Sequence, residues 1–311
     1  MINFTSKKSI VLLDGGVGSE MFIRSPNHLK QYWGNAAFIE NGNEILKSVH
    51  LDFYKAGSQI AIANSYLGVK SRLSRKDKFP LTAEEICKMA VDVANEACKE
   101  NGSGLVAGSL GPLFNSYRPD QDNLCSFEEQ VEIYLEYLRN LSEADLFIFE
   151  TVASIHHARV ILETIKKSNL SKPVWISFNV DDIDGLKLRS GEMLSDVRFI
   201  ADSGLVDAVL INCSKPESIS KALKVFKTFG IPFGAYGNAF EDVNVFIKSV
   251  DYNKVERRKD LNHQVYADFV IDWIEQGAQI VGGCCEIDPE YISVITKRIR
   301  ENGYELKKLR K

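Results

Sequence analysis

The sequence lacks most of what would make a chain something other than an ordinary folded enzyme. No window approaches the run of about eighteen uninterrupted apolar residues that a helical membrane span requires. Lys7 and Lys8 are followed by only a short segment, Ser9 to Asp14, which falls well short of a secretion signal. A basic surplus is also missing: 38 Lys and Arg stand against 42 Asp and Glu, a net charge of -4, so no electrostatic footprint for nucleic acid is present. The one locally basic stretch, Lys307, Lys308, Arg310 and Lys311, reads as a solvated, frayed terminus. Cysteine is scarce, and six in 311 residues are too few for a disulfide scaffold. These absences predict a soluble protein of the reducing cytoplasm, where clustered cysteines hold metal or do chemistry.

What is present is enough apolar material, 45% of residues, for one large core. Short β-branched runs alternate with amphipathic stretches of helical length, the pattern of repeated βα units feeding a parallel sheet. The predicted strands are Ile10 to Leu13, Gln59 to Ala63, Gly104 to Ala107, Leu146 to Phe149, Val174 to Phe178, Ala208 to Ile211, Phe233 to Tyr236 and Gln279 to Val281. The predicted helices are Glu44 to Lys55, Thr82 to Glu100, Phe127 to Asn140, Ser154 to Lys167, Ser195 to Asp202, Pro216 to Thr228, Asp260 to Gln276 and Pro289 to Arg300. Eight such pairs predict an α/β fold, a (β/α)8 TIM barrel formed by residues 1–311 as one domain, with an open doubly wound sheet as the alternative. The long first connection, Asp14 to Asn43, marks a functional loop.

Polar and sulfur groups gather at one end of these strands. Asp14, Asn64, Ser109, Glu150, Cys213, Asn238 and Cys284 each fall just past a predicted strand, on the rim where barrels of this kind build their sites. Cys284-Cys285, preceded by Gly282-Gly283, can offer two thiolates to one ion if the backbone bends, and Cys213 lies two strands away on the same rim. Three sulfurs on a tetrahedral metal leave a fourth position open, as in catalytic zinc sites. A redox pair or inert buried thiols fit the same spacing. Cys87, Cys98 and Cys125 have no partner at ligand spacing. His156 and His157, adjacent on a helix, face apart and are assigned structural roles. Gly15-Gly16-Val17-Gly18-Ser19 fits neither glycine fingerprint for phosphate and reads as a tight turn lining the mouth, with Asp14 before it.

These motifs resemble the homocysteine S-methyltransferases, a family that includes S-methylmethionine-dependent and betaine-dependent enzymes and the homocysteine half of cobalamin-dependent methionine synthase. The resemblance runs from Asp14-Gly15-Gly16-Val17-Gly18-Ser19-Glu20 through Asn64-Ser65-Tyr66, Gly108-Ser109-Leu110-Gly111-Pro112, Phe149-Glu150-Thr151 and Asn212-Cys213 to Gly282-Gly283-Cys284-Cys285. It implies a barrel with zinc on Cys213, Cys284 and Cys285, and homocysteine held by Glu150 and the turn of Asp14 and Gly15. Asn64, Ser109 and Asn238 are further substrate-binding candidates from their rim positions. Two departures stand out: Glu286 follows the paired cysteines where the family has Gly, and Tyr236-Gly237-Asn238-Ala239-Phe240 replaces the family's Tyr-Pro-Asn-x-Gly. A carboxylate at Glu286 is positioned to tune the metal or favour a cationic donor.

The resulting expectation is zinc-dependent methyl transfer from a cationic donor to homocysteine, giving methionine. S-methylmethionine is favoured over S-adenosylmethionine or betaine, because the chain ends soon after the eighth helix. A cationic donor is matched by aromatic faces. Tyr66, Phe114, Tyr117, Phe178, Tyr236 and Trp33 are available, with Trp33 and Tyr66 preferred. The competing reading is an altered family member that binds zinc or homocysteine without turnover, or uses another donor or thiol. A Schiff-base lyase is disfavoured, since no predicted strand ends in lysine. The expected partners are small molecules, with neither nucleic acid nor membrane, and a homodimer is the default assembly.

Overall fold

In the computed structural model each β-branched run becomes a strand covered on both faces, which is why these segments read as nearly continuous apolar sequence. The barrel strands are β1 (Ser9–Leu12), β2 (Ile60–Ile62), β3 (Leu105–Leu110), β4 (Leu146–Val152), β5 (Val174–Phe178), β6 (Ala208–Asn212), β7 (Phe233–Gly237) and β8 (Ile280–Gly283). From β2 to β8 and on to β1 each pairs in parallel with the next. The structure describes residues 8–73, 79–243 and 256–310, together with Ile2, Phe4 and Ser6.

Each predicted helical window contains a helix. After α1 (Val17–Arg24) these are α2 (Gly42–Ala56), then, beyond a single turn α3 (Lys70–Leu73), α4 (Ala83–Asn101), α5 (Phe127–Asn140), α6 (Ile155–Ser168), α7 (Arg198–Asp202), α8 (Pro216–Phe226), α9 (His263–Gln276) and α10 (Pro289–Glu301). Their starts are specified locally. Thr82 and Ser126 each form a capping box with the glutamate three residues on, Glu85 and Glu129, and Asp288 caps α10 ahead of Pro289.

The period-two alternation of strand side chains divides the core in two. Residues such as Ile10, Leu12, Phe147 and Phe149 point outward and pack beneath the helices. Val11, Leu13, Ile148, Trp175, Leu210 and Ile280 point inward and fill the barrel, with Phe4 against Trp175 at the lower end. The interior is therefore packed, and only the rim above it is left for a ligand.

Closure between β1 and β2 is made partly by side chains. One bridge joins Leu13 to Ile60, and Gln59 N–H donates to Leu12 O at 2.7 Å. Gln59 Oε1 accepts from Leu12 N–H at 2.8 Å, and Asp14 Oδ2 accepts from Ile62 N–H at 2.8 Å. The lower half of the same seam is filled by β9 (Glu305–Leu306), which pairs with Ser9 and Ile10 of β1. Lys307 N–H donates to Ile10 O, Gly104 N–H donates to Leu309 O, and Leu309 is buried. The basic tail is thus not frayed over these residues: apolar Leu306 and Leu309 anchor it while the lysines cover the surface, Lys307 lying over the Phe4 ring. Lys7 and Lys311 lie outside the described residues.

Three further expectations are corrected. The Gly15 to Ser19 segment is no mere turn, because α1 begins at Val17 with Gly16 as its N-cap residue. Ser109 and Glu150 lie inside β3 and β4 rather than beyond them, on the inward track that their alternation dictates. The long first connection also contains a 3₁₀-helical run, Asn27–Phe38, broken at Trp33.

Removing residues 305–311 takes the β9 pairing from β1 and uncovers the lower half of the seam. We expect a loss of about 2–5 kcal/mol and a lower thermal midpoint; an unchanged midpoint in a calorimetric scan would contradict this account of closure.

Candidate active site and metal centre

Cys213 follows β6 and Cys284-Cys285 follow β8, and the strand between them carries both. Cys213 N–H donates to Tyr236 O at 3.1 Å and Cys284 N–H to Gly237 O at 2.8 Å, so β7 fixes the height of each cysteine. The three sulfurs all lie within 4.8 Å of one another, and those of Cys213 and Cys285 are 3.6 Å apart. That is far beyond the S–S bond of about 2.05 Å. It is close to the separation of about 3.8 Å that a tetrahedral ion with Zn–S bonds of about 2.3 Å imposes. The donor set and its spacing fit zinc.

The bend that lets adjacent cysteines converge is not in the preceding glycines. It is a turn closed by Ile287 N–H donating to Cys284 O at 3.1 Å, with Glu286 at φ 64° in its third position. A left-handed third residue is what a type II turn requires, which explains why glycine suits that position and why Glu286 is strained there. Gly282 and Gly283 serve close packing instead: a Cβ at Gly283 would stand 2.2 Å from the Ile287 side chain. Glu286 does not line the cavity. Its N–H donates to Ser19 Oγ at 3.1 Å, and burial, eased by the Ser19 hydrogen bond, raises its carboxyl pKa.

Cys213 is buried, also left-handed at φ 49°, and held from several sides. The Nδ2 of Asn179 donates to Asn212 O and Cys213 O at 2.9 Å each. Tyr117 OH donates to Cys213 Sγ at 3.0 Å, and Asn238 Nδ2 lies 3.8 Å from the same sulfur. Hydrogen bonds from Cys284 and Cys285, then those from Tyr117 and Asn238, hold the Cys213 thiol well below its ordinary value despite burial. Cys284 and Cys285 are pushed up by their hydrogen bonds with Cys213. One thiolate is stabilised where three sulfurs meet.

One carboxyl group completes the floor and a second is buried behind it. Glu150 Oε1 accepts from Tyr236 OH at 2.8 Å and Oε2 from the Ser109 hydroxyl. Burial pushes Glu150 up to about 7 against those two hydrogen bonds, and the charge of Cys213 adds to the rise. Asp14 is fully buried with its Oδ1 unpartnered, and burial raises its carboxyl well above the usual range. Thr151, at φ 60°, exchanges hydrogen bonds with the Asn212 side chain at 2.9 and 3.0 Å, which ties the Glu150 segment to the Cys213 segment.

These groups face a cavity of about 400 Å³. Trp33, Tyr66, Tyr117 and Tyr236 line it together with Gly15, Asn64, Ser109, Glu150 and the three cysteines. Of the six aromatic candidates, Phe114 and Phe178 stay outside; Phe178 packs on Phe226 in the outer core. Asp14 and Asn238 stand behind the wall, Asn238 as a donor towards Cys213 Sγ. Trp33 is kinked at φ 48° and ψ -129°, and its ring occupies the space where a Cβ on Gly18 would lie, 2.6 Å away. Asn64 Nδ2 pins the next residue through Gly34 O at 2.7 Å. His156 and His157 are remote from the sulfurs' cluster, bonded to Gln130 and Tyr134 respectively.

Sequence reasoning missed Arg72 and Lys30, which also line the cavity, and the hydrogen bond from Tyr117 to Cys213. An isolated basic residue in a short helical turn carries no signal of its own.

The sequence model of the homocysteine S-methyltransferase family matches residues 11–299. Homocysteine S-methyltransferase of Escherichia coli is 29% identical over 308 residues, covering 94% of this chain and 96% of that protein. Homocysteine S-methyltransferase 4 of Zea mays is 28% identical over 322 residues, covering 94% and 90%. The crystal structure of the homocysteine methyltransferase MmuM from Escherichia coli, metallated form, superposes with a TM-score of 0.75 at 25% identity, covering 94% of this chain and 97% of that one. The chain belongs to the homocysteine S-methyltransferase family, a class of methyl-transferring enzymes.

Proposed function

We propose that the protein transfers a methyl group from a cationic donor to the thiol of homocysteine, with zinc held by Cys213, Cys284 and Cys285. The observation that carries the reading is the convergence of three cysteine sulfurs, within 4.8 Å of one another, on a cavity that also contains Glu150. Cys213, Cys284 and Cys285 would hold the zinc, which when bound would supply Lewis acidity that favours the thiolate form of the acceptor near neutral pH, its proton passing to solvent.

The chain's own residues bind and aim the reactants. The carboxyl group of Glu150, on the cavity wall, suits the ammonium of homocysteine, with Asp14 behind the wall adding acidic character to the same corner. The start of α1, where Gly16 leaves backbone N–H groups uncapped by any side chain, suits the carboxylate. Held at both ends, homocysteine directs its thiol towards the three sulfurs. Its sulfur pair then forms the new S–CH3 bond, the donor's bond to that methyl breaks, and the bonding pair stays on the donor, which loses its positive charge. Trp33, Tyr117 and Tyr236, with Tyr66, offer aromatic surface to that charge before transfer. A cavity of about 400 Å³ suits two amino-acid-sized molecules, which supports S-methylmethionine over the bulkier S-adenosylmethionine.

Replacing Cys213, Cys284 or Cys285 with Ala should remove zinc and turnover together, as measured by elemental analysis and methionine formation. Full activity in a metal-free variant would overturn the assignment. Glu150→Gln should raise KM for homocysteine by about 10- to 100-fold, the scale of a lost charge-assisted hydrogen bond. The charged form of Glu150 is the one that pairs with ammonium. Its contribution to homocysteine affinity is therefore present above pH 7 and fades as pH falls through about 7, where the raised carboxyl takes up its proton. Binding titrations from pH 5.5 to 8.5 should show that limb in the wild type and not in Glu150→Gln; an identical pH profile in both would refute the role of Glu150.

A further inference from the structure

The outer wall of the cavity carries two positive charges that the acceptor does not use. Arg72 lies on α3 with its guanidinium 5.0 Å from the centroid of the Tyr66 ring. Its Nη2 donates to Ser116 Oγ at 3.3 Å and its Nη1 to Pro112 O at 3.4 Å, while Tyr66 OH shares Ser116 Oγ at 2.7 Å. The side chain is thus fixed by a ring, a hydroxyl and a carbonyl. Lys30 faces the same cavity, its ammonium 5.0 Å from the Phe22 ring centroid. Among the described residues neither cation has a carboxylate within ion-pair distance, although arginines 24, 118, 189, 198, 257, 258 and 298 do.

A guanidinium set over an aromatic ring, with no carboxylate in ion-pair distance among the described residues, is a ready partner for a planar carboxylate. Burial grades along the lining accordingly: Glu150 and Cys213 are buried, whereas Arg72 and Lys30 are half-buried and nearer the solvent. Two cations at the entrance oppose the approach of a bare onium ion, and an anionic group on the donor removes that opposition. A molecule with an onium centre at one end and a carboxylate at the other fits in one direction only, with its methyl-bearing end towards the sulfurs.

We propose that Arg72, assisted by Lys30, binds the carboxylate of the methyl donor and thereby selects an amino-acid-derived onium compound oriented with its methyl group inward. This rests on the methyl-transfer reading given above. It assigns the two ends of the cavity to different substrates: the α1 start and Glu150 to homocysteine, the Arg72 wall to the donor.

The test compares two donors at saturating homocysteine with zinc-loaded protein: S-methylmethionine, and the same sulfonium lacking the carboxylate, aminopropyl-dimethylsulfonium. Wild-type kcat/KM should favour the carboxylated donor by about 10- to 100-fold, the scale of a charge-assisted contact. Arg72→Met should reduce that preference to a few-fold by raising KM for S-methylmethionine alone, and Arg72→Lys should restore part of it. No preference in the wild type, a preference that survives in Arg72→Met, or a KM change that falls on homocysteine instead would each overturn the proposal. If neither donor supports turnover, the methyl-transfer reading fails separately. Calorimetric binding of S-methylmethionine then decides the carboxylate site: about tenfold weaker binding in Arg72→Met supports it, and equal or absent binding overturns it. Should Arg72→Met not fold, the wild-type donor comparison and Arg72→Lys decide the same question.

Discussion

The site depends on how β7 carries the two cysteine segments on either side of it. Backbone hydrogen bonds to Tyr236 O and Gly237 O set the positions of Cys213 and Cys284 independently of any metal. The remaining freedom is removed by two residues in left-handed backbone, Cys213 and Glu286, which turn the sulfurs inward. Such conformations are costly and persist only where the surroundings over-determine them. Trp33, Tyr117 and Thr151 share this property, so most of the non-glycine positive-φ residues of the described chain stand around one cavity.

What over-determines Cys213 is a buried polar brace. Arg189 Nε donates to Asn179 Oδ1 at 2.7 Å, and Asn179 in turn holds the carbonyls of Asn212 and Cys213. Arg189 pairs with Asp182 at 2.7 Å in a largely buried contact, and its guanidinium lies 5.7 Å from the ring of Tyr117, the residue that donates to Cys213 Sγ. A buried ion pair contributes little to net stability because desolvation offsets its attraction. Its value here is positional: one arginine steadies both the backbone and the hydrogen-bond donor of the same cysteine. Orientation of a ligand by the groups behind it is what gives metal sites their precision.

Much of this was legible in the sequence because the physics that shapes it is local. Eight apolar runs could be recognised since both faces of every barrel strand are covered, and the cysteines stood out by adjacency. Strand ends were misplaced at Ser109 and Glu150 because polar residues on an inward track interrupt an apolar run without ending the strand. The pairing of β9 was hidden by the lysines around Leu306 and Leu309. α1 was obscured by glycines whose purpose is close packing against Ile287 and Trp33, a tertiary contact that no local pattern announces. The contacts of Arg72 with Pro112 and Ser116 and that of Tyr117 with Cys213 were invisible for the same reason, as each pairs segments far apart in the chain.

In the proposed site three protein sulfurs share one zinc and leave a position for the sulfur of homocysteine. X-ray absorption at the zinc edge tests it most directly on the zinc-loaded protein, before and after homocysteine is added. The account predicts three sulfur neighbours at about 2.3 Å and one lighter atom, becoming four sulfurs when homocysteine binds. Two sulfurs in the free protein, or a neighbour shell that homocysteine leaves unchanged, would contradict it.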